Sequence, residues 1–236
     1  MKWFFCLNDF GFPRYRKHVE AAVRSWKGDR QPICLFDGTE WGPIQDLGVQ
    51  VVGRESRFKG ALAKAYPIGP SIPGHVVRGK AEGAWLRLEI PDVCEELGIE
   101  DEFVLYTDVD VLFLKSPYPL LDLKPTFLAA GPQHDQNDWS WFNSGVMWMN
   151  VRACREEFPK AEPVFACDLE QGPMNKLLAG RWNRLSLEYN WKPYWGVNPD
   201  ARIVHFHGPK PVDPPRGDVP PSWRDCEGWR HYAEMV

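Results

Sequence analysis

The chain has 236 residues, 44% of them hydrophobic and 25% charged, and a formal net charge of -4. That length buries a full core without metal or disulfide staples, and the composition excludes collagen-like, disordered and membrane-spanning classes and carries no basic footprint for nucleic acid. Two departures remain: 22 prolines where a usual share of roughly 5% gives about 12, which points to long ordered loops, and 12 tryptophans, which suit stacking on sugars.

Residues 2–7 (KWFFCL) read as a short strand, and Tyr15, Val19, Ala22, Val23 and Trp26 then recur at helical spacing behind Pro13, a residue suited to a helix start. Residues 33–36, closed by Asp37-Gly38, read as a second strand and residues 49–52 as a third. Strands alternating with helices predict a mostly parallel, Rossmann-like α/β sheet flanked by helices. Between residues 58 and 79, Gly60, Pro67, Gly69, Pro70, Pro73, Gly74 and Gly79 predict a long functional loop, a lid or acceptor loop. Ala81, Ala84, Trp85 and Leu88 mark a helix that ends before Pro91, with Arg87 on a neighbouring face. Residues 103–107 form a strongly β-prone run that ends in Asp108-Val109-Asp110 and resumes over 111–113. Further strands are predicted at 127–130, 146–150, 182–185 and 202–206, and helices near 152–158 and 170–179. The reading is one domain over residues 1–211 and a Pro-rich tail over 212–236 with a short terminal helix.

The six cysteines, Cys6, Cys34, Cys94, Cys154, Cys167 and Cys226, contain no C-x-x-C pair and read as reduced core thiols of a cytosolic protein. The apolar run at the N-terminus is interrupted by Asn8 and Asp9, too early for a signal peptide, and no run approaches the ~18 apolar residues of a membrane span. The expected setting is cytoplasmic, without a transmembrane segment.

Asp108 and Asp110 carry the strongest chemical signal. Two carboxylates one residue apart at the carboxyl end of an apolar strand sit where open α/β sheets bind ligands, and either face solvent in a turn or share a cation. Hard oxygen ligands suit Mg²⁺ or Mn²⁺. His205 is a candidate third ligand, and an imidazole beside two carboxylates favours Mn²⁺; His207 shares its strand face, so spacing alone leaves open which histidine binds. The polar stretch 132–141 ends in Trp139 and Trp141, candidates for stacking on an acceptor sugar, with Asp135 and Asp138 as hydroxyl acceptors.

Four segments then occur in order: Tyr106-Thr107-Asp108-Val109-Asp110, Phe142-Asn143-Ser144-Gly145-Val146, Glu170-Gln171-Gly172-Pro173-Met174-Asn175, and His205-Phe206-His207-Gly208-Pro209-Lys210-Pro211. Together they resemble the retaining glycosyltransferases of family eight, the glycogenin and lipopolysaccharide galactosyltransferase group, over roughly residues 2–211. The resemblance implies a GT-A fold and transfer of a hexose, with retention, from a nucleoside diphosphate sugar, a UDP-sugar by expectation, to a saccharide or other hydroxyl-bearing acceptor. It implies that Asp108, Asp110 and His205 hold Mn²⁺, with Mg²⁺ as the alternative ion, and that Lys210 grips the diphosphate. It further implies that Arg87 and Asp108 contact the donor, that Asn143 and Ser144 reach the sugar hydroxyls, that Gln171 faces the reacting carbon, and that Asn8 and Asp9 lie where the base binds. Two positions depart from the family: Glu170 stands where it has Asp, making Glu170 an alternative to Gln171, and the spacing from Gly208 to Lys210 is about one residue shorter.

Two other readings compete. A catalytically silent domain of the same fold would bind nucleotide sugar or glycan without turnover. An Asp-x-Asp after a strand also resembles the haloacid dehalogenase phosphatases, but that motif opens its domain, whereas 107 residues precede Asp108 here and no late Asp-Asp pair follows.

Overall fold

The computed structural model describes residues 1–67, 74–164, 169–208 and 210, and the side chains of 74–77 are outside the description. The chain begins with β1 (Trp3–Asn8), α1 (Phe12–Ser25), β2 (Ile33–Asp37), α2 (Gly42–Gln45), β3 (Gln50–Gly53), α3 (Lys59–Ala65) and α4 (Gly74–Trp85). A 3-10 turn over Leu86–Glu89 leads to α5 (Ile90–Glu96), β4 (Phe103–Thr107), β5 (Val111–Phe113), β6 (Leu128–Pro132) and β7 (Phe142–Asn150). The described chain ends with α6 (Val151–Glu157), α7 (Gln171–Leu177), β8 (Asn183–Arg184) and β9 (Ile203–His205). The predicted tail over 212–236 lies outside the described residues.

Seven strands form one sheet in the order β3-β2-β1-β4-β7-β6-β8. Only β7 runs against the others, antiparallel to both β4 and β6. The fold is thus α/β with a mostly parallel sheet flanked by helices, as the sequence predicts. Its strands read as continuous apolar runs because helices cover both faces: Phe4, Leu35, Tyr106 and Met147 pack under Trp85, Leu88 and Met174 on one side, and Trp3, Phe5, Phe36 and Trp148 pack under Val19 and Ala22 on the other. The indole of Trp3 donates to Thr107 Oγ1 at 2.9 Å. Trp3, Trp85 and Trp148 are fully buried, so part of the tryptophan excess fills the core rather than facing sugars.

β1 has β2 on one side and β4 on the other, both parallel to it. The chain reverses its winding there, and the crevice beyond the carboxyl ends of β1 and β4 is the switch point at which open sheets hold ligands. A second, two-stranded sheet closes over this crevice: β5 pairs antiparallel with β9, and Val111 faces His205.

Two predictions fail. The stretch 58–79 is not one long loop: α3 begins at Lys59, and α4 begins at Gly74, seven residues before the predicted start at Ala81. The KGALAKA segment of α3 is rich in good helix formers, and Gly60 has open space around it. The helical path also does not end before Pro91, which instead occupies the first turn of α5, where its missing N–H costs nothing.

Candidate metal and sugar site

Asp108 and Asp110 follow β4, and the β5–β9 pairing brings His205 onto them. Single ligand atoms of these three residues lie within 4.8 Å of one another. His205 Nε2 is 3.4 Å from Asp110 Oδ1 and 3.9 Å from Asp108 Oδ2. Of the two histidines, His205 is the one that lies with the carboxylates: His207 Nδ1 instead meets the Tyr194 hydroxyl at 3.0 Å, and burial pulls the His207 pKa down to about 3. Gly145 makes the cluster possible, because a Cβ there would lie 2.2 Å from His205 Cε1 and 2.9 Å from Asp108 Oδ2.

Arg87 serves Asp108 and Glu170, and Lys210 serves Asp110. Arg87 is buried; its Nη2 donates to Asp108 Oδ1 at 2.9 Å, and its Nη1 lies 2.9 Å from Glu170 Oε1. Nη1 also reaches the Ser144 carbonyl and hydroxyl, at 2.9 and 3.0 Å, and the guanidinium lies over the Tyr106 ring. The Tyr106 hydroxyl donates to Asp108 Oδ1 at 2.7 Å. Burial works against the charged guanidinium, but Asp108 and Glu170 outweigh it and raise the Arg87 pKa. Burial raises the Glu170 pKa despite the opposing Arg87 charge. Lys210 Nζ lies 2.7 Å from Asp110 Oδ2; burial disfavours the Asp110 carboxylate, yet Lys210 and His205 hold its pKa well below the usual range. Three carboxylates facing two cations leave this cluster one charge negative, and an oxygen-rich set with one imidazole nitrogen fits a divalent ion.

Beside the acidic cluster lies a neutral one. Ser144 Oγ donates to Glu170 Oε1 at 2.7 Å. Gln171 Oε1 accepts from the Ser144 backbone N–H at 2.9 Å and from Asn143 Nδ2 at 3.3 Å. Asn143 Nδ2 also donates to Gln133 Oε1 at 2.7 Å. The segments on β7 and at the start of α7 therefore meet, held by the Asn175 side chain, which accepts from Phe142 N and donates to Phe142 O.

The cleft in front has a volume of about 200 Å³ and is lined by Asn8, Phe10, Tyr15, Arg87, Asp108 and Asp110, among others. Asn8 is itself committed: its Oδ1 accepts from Gly11 N at 2.8 Å, ordering the entry to α1, and its Nδ2 donates to Gly79 O at 2.8 Å. Asp9 points into the turn after β2, where its carboxylate accepts from Thr39 and Glu40 N–H groups. Trp139 stacks on Trp182 with Arg184 close by, and Asp135 and Asp138 accept from Asn137 and Ser140 in local turns. Tyr106, Gln133 and Asn190 are components of the site that the sequence reading did not single out. A buried tyrosine two residues before Asp108 on the same strand face was the one available signal.

No protein-family model and no curated protein matches the sequence. Among solved structures, the chain is similar to the galactosyltransferase LgtC in complex with donor and acceptor sugar analogs, at 19% identity and a TM-score of 0.66 over 100% of this chain and 95% of that one. It is similar to the apo form of the glycosyltransferase GlyE of Streptococcus pneumoniae TIGR4, at 18% identity and a TM-score of 0.67, covering 100% of this chain and 60% of GlyE. It is also similar to the bifunctional glycosyltransferase WbbM, at 14% identity and a TM-score of 0.62, where it spans 99% of its own length and 49% of WbbM. The protein has the GT-A glycosyltransferase fold.

Proposed function

We propose that this protein is a metal-dependent glycosyltransferase that moves a hexose from a nucleoside diphosphate sugar, a UDP-sugar, to a saccharide or other hydroxyl-bearing acceptor with retention of configuration. The observation that carries the reading is the convergence of Asp108, Asp110 and His205 within 4.8 Å at the switch point of a GT-A sheet, beside Arg87, Glu170 and Gln171. Asp108, Asp110 and His205 would hold Mn²⁺, with Mg²⁺ as the alternative. When bound, that ion supplies Lewis-acid neutralisation of the leaving diphosphate.

This chain's own residues supply the rest. Lys210 is a cation already at the metal cluster, bonded to Asp110 and to the Phe206 and Gly208 carbonyls, and it would turn to the leaving diphosphate as charge develops there. Arg87 holds Asp108 and Glu170 in place while it orients Ser144 for the donor sugar. Asn143 and Ser144 present polar groups to sugar hydroxyls, and Glu170 and Gln171 flank the position of the reacting carbon. Asn8, which lines the cleft, and Asp9 beside it would meet the base. Free Cys6, Cys34, Cys94 and Cys154 fit a reducing, cytoplasmic setting, and no helix of the described residues is long and apolar enough to cross a membrane.

One observation favours the second reading, a binding domain without turnover: Gln171 Oε1 is turned to the Ser144 N–H rather than into the cleft. A panel of nucleotide sugars, each tested for Mn²⁺-dependent binding and hydrolysis, separates the two. The expected result is selective binding and slow hydrolysis of one UDP-sugar only with Mn²⁺. Binding without any turnover, with or without acceptor, would support the silent domain, and no binding of any nucleotide would overturn both.

A further inference from the structure

Asn190 is fully buried in the turn that leads to Trp191, and its side chain touches both halves of the site. Its Oδ1 is 3.0 Å from His205 Nδ1, and its Nδ2 donates to Asn143 Oδ1 at 3.1 Å. The backbone fixes it there: Trp191 N donates to Ile203 O at 3.0 Å and His205 N to Trp191 O at 2.8 Å, so the segment runs alongside β9. Gly131 makes room for it, since a Cβ at that position would lie 3.2 Å from Asn190 Cβ.

The polarity of this chain of contacts follows from one group that can only donate. Gly145 N–H donates to Asn143 at 3.1 Å, so the Asn143 atom facing it is the oxygen. That oxygen is also the one that meets Asn190, so Asn190 must present its NH₂ to Asn143 and its own oxygen to His205. An imidazole nitrogen facing an amide oxygen carries the proton. His205 Nδ1 is therefore N–H, and Nε2 is the nitrogen that faces Asp108 and Asp110, where a bound cation would take the place of any proton it holds. The same inference fixes Asn143, whose NH₂ is left for Gln133 and Gln171.

We propose that Asn190 is a positioning residue that sets His205 as a metal ligand through its oxygen and Asn143 as a sugar-site residue through its NH₂, carrying the donor polarity of the Gly145 N–H from one half-site to the other. The inference rests on the metal and sugar reading above for its purpose, though not for the geometry. It makes Gly145 serve twice, by leaving space for the imidazole and by setting which of its nitrogens holds the proton.

The two halves of the amide are separable by substitution. Asn190→Asp keeps an acceptor for the His205 N–H but loses the donor to Asn143, and Asn190→Leu loses both. Calorimetry with Mn²⁺ alone is expected to give Asn190→Leu an affinity about 10- to 100-fold below wild type, the usual cost of removing the partner of a ligating histidine. Asn190→Asp should retain wild-type affinity or exceed it, yet lose hydrolysis of the nucleotide sugar, because Asn143 must turn its NH₂ toward the new carboxylate and away from Gln133 and Gln171.

The second readout is the ¹⁵N spectrum of His205 in metal-free protein, which shows whether Nδ1 carries a proton. That proton is expected in wild type and in Asn190→Asp, whether or not the carboxylates hold a second one on Nε2, and its loss is expected in Asn190→Leu. An unprotonated Nδ1 in wild type, wild-type Mn²⁺ affinity in Asn190→Leu, or equal loss in both folded variants would overturn the proposal. If Asn190→Leu does not fold, the isosteric Asn190→Asp and the wild-type tautomer still decide it. Absence of Mn²⁺ binding to wild type would sink the metal reading, while the tautomer would decide the role of Asn190 separately.

Discussion

Gly145, Asp110, Lys210 and Gln171 allow tests one side chain at a time. Asp110→Ala should abolish Mn²⁺-dependent donor binding with the fold intact, measured by calorimetry and by circular dichroism. Gly145→Ala should do the same by steric means, since its Cβ would fall inside contact distance of His205 and Asp108. Lys210→Ala should act with opposite signs on two ligands. Losing a charge-assisted contact weakens nucleoside diphosphate binding by about 1.5 to 3 kcal/mol, whereas Mn²⁺ alone binds more tightly, because Lys210 no longer sits 2.7 Å from Asp110 Oδ2. Gln171→Ala should lower turnover by roughly ten- to a thousandfold, about 1.4 to 4 kcal/mol, with little change in donor affinity; unchanged transfer rates in Gln171→Ala and in Glu170→Ala would remove both from the chemistry. Asp108 and Asp110 stood out in the sequence because they close an apolar strand one residue apart and three further motifs follow them in order. Asn190 was not, because its value lies in two partners distant in sequence, and a buried Asn between Tyr189 and Trp191 carries no local mark.

At the scale of elements, the 3-10 turn Pro193–Trp195 and the residue before it clasp the loop that leaves β6. Lys192 donates to Pro132 O, the Tyr194 hydroxyl to Gln133 O and the Trp195 indole to His134 O, three consecutive carbonyls. Lys192 is buried, and desolvation lowers its pKa to about 7. Its unfolded value is about 10.4, so between those limits the unfolded chain holds the extra proton and stability rises with pH; below pH 7 the cost of burying the charge is fully present. Urea unfolding of wild type should therefore gain up to about 1.4 kcal/mol per pH unit between pH 7 and 10 relative to Lys192→Met. Parallel pH profiles for the two proteins would mean that Lys192 stays charged in the fold. Periodicity placed most strands and helices to within a few residues. It failed over 58–79 because glycines and prolines were read as breakers, although Gly60 lies within the Ala- and Lys-rich run of α3 and Gly74 and Gly79 lie within α4.

Taken as a whole, the molecule builds its site from β1, α4, β4, β7, α7 and β9, so a ligand that bridges them stabilises the whole fold. Mn²⁺ with UDP at about 100 times the dissociation constant should add about 2.7 kcal/mol and raise Tm by roughly 5 to 10 °C in a protein of this size. UDP without the metal should give much less in the same thermal scan. The order of the strands has a consequence for how the protein is made. β1 leaves the ribosome well before β4, one of its two neighbours, where Trp3 pairs with Leu105. At about 5 to 20 residues per second, the apolar edge of β1 waits roughly 5 to 20 seconds for that partner to be synthesised. His205 follows after about as long again, so in a nascent chain Asp108 and Asp110 wait seconds for the third member of their cluster, and whatever that cluster holds cannot template the sheet as it forms.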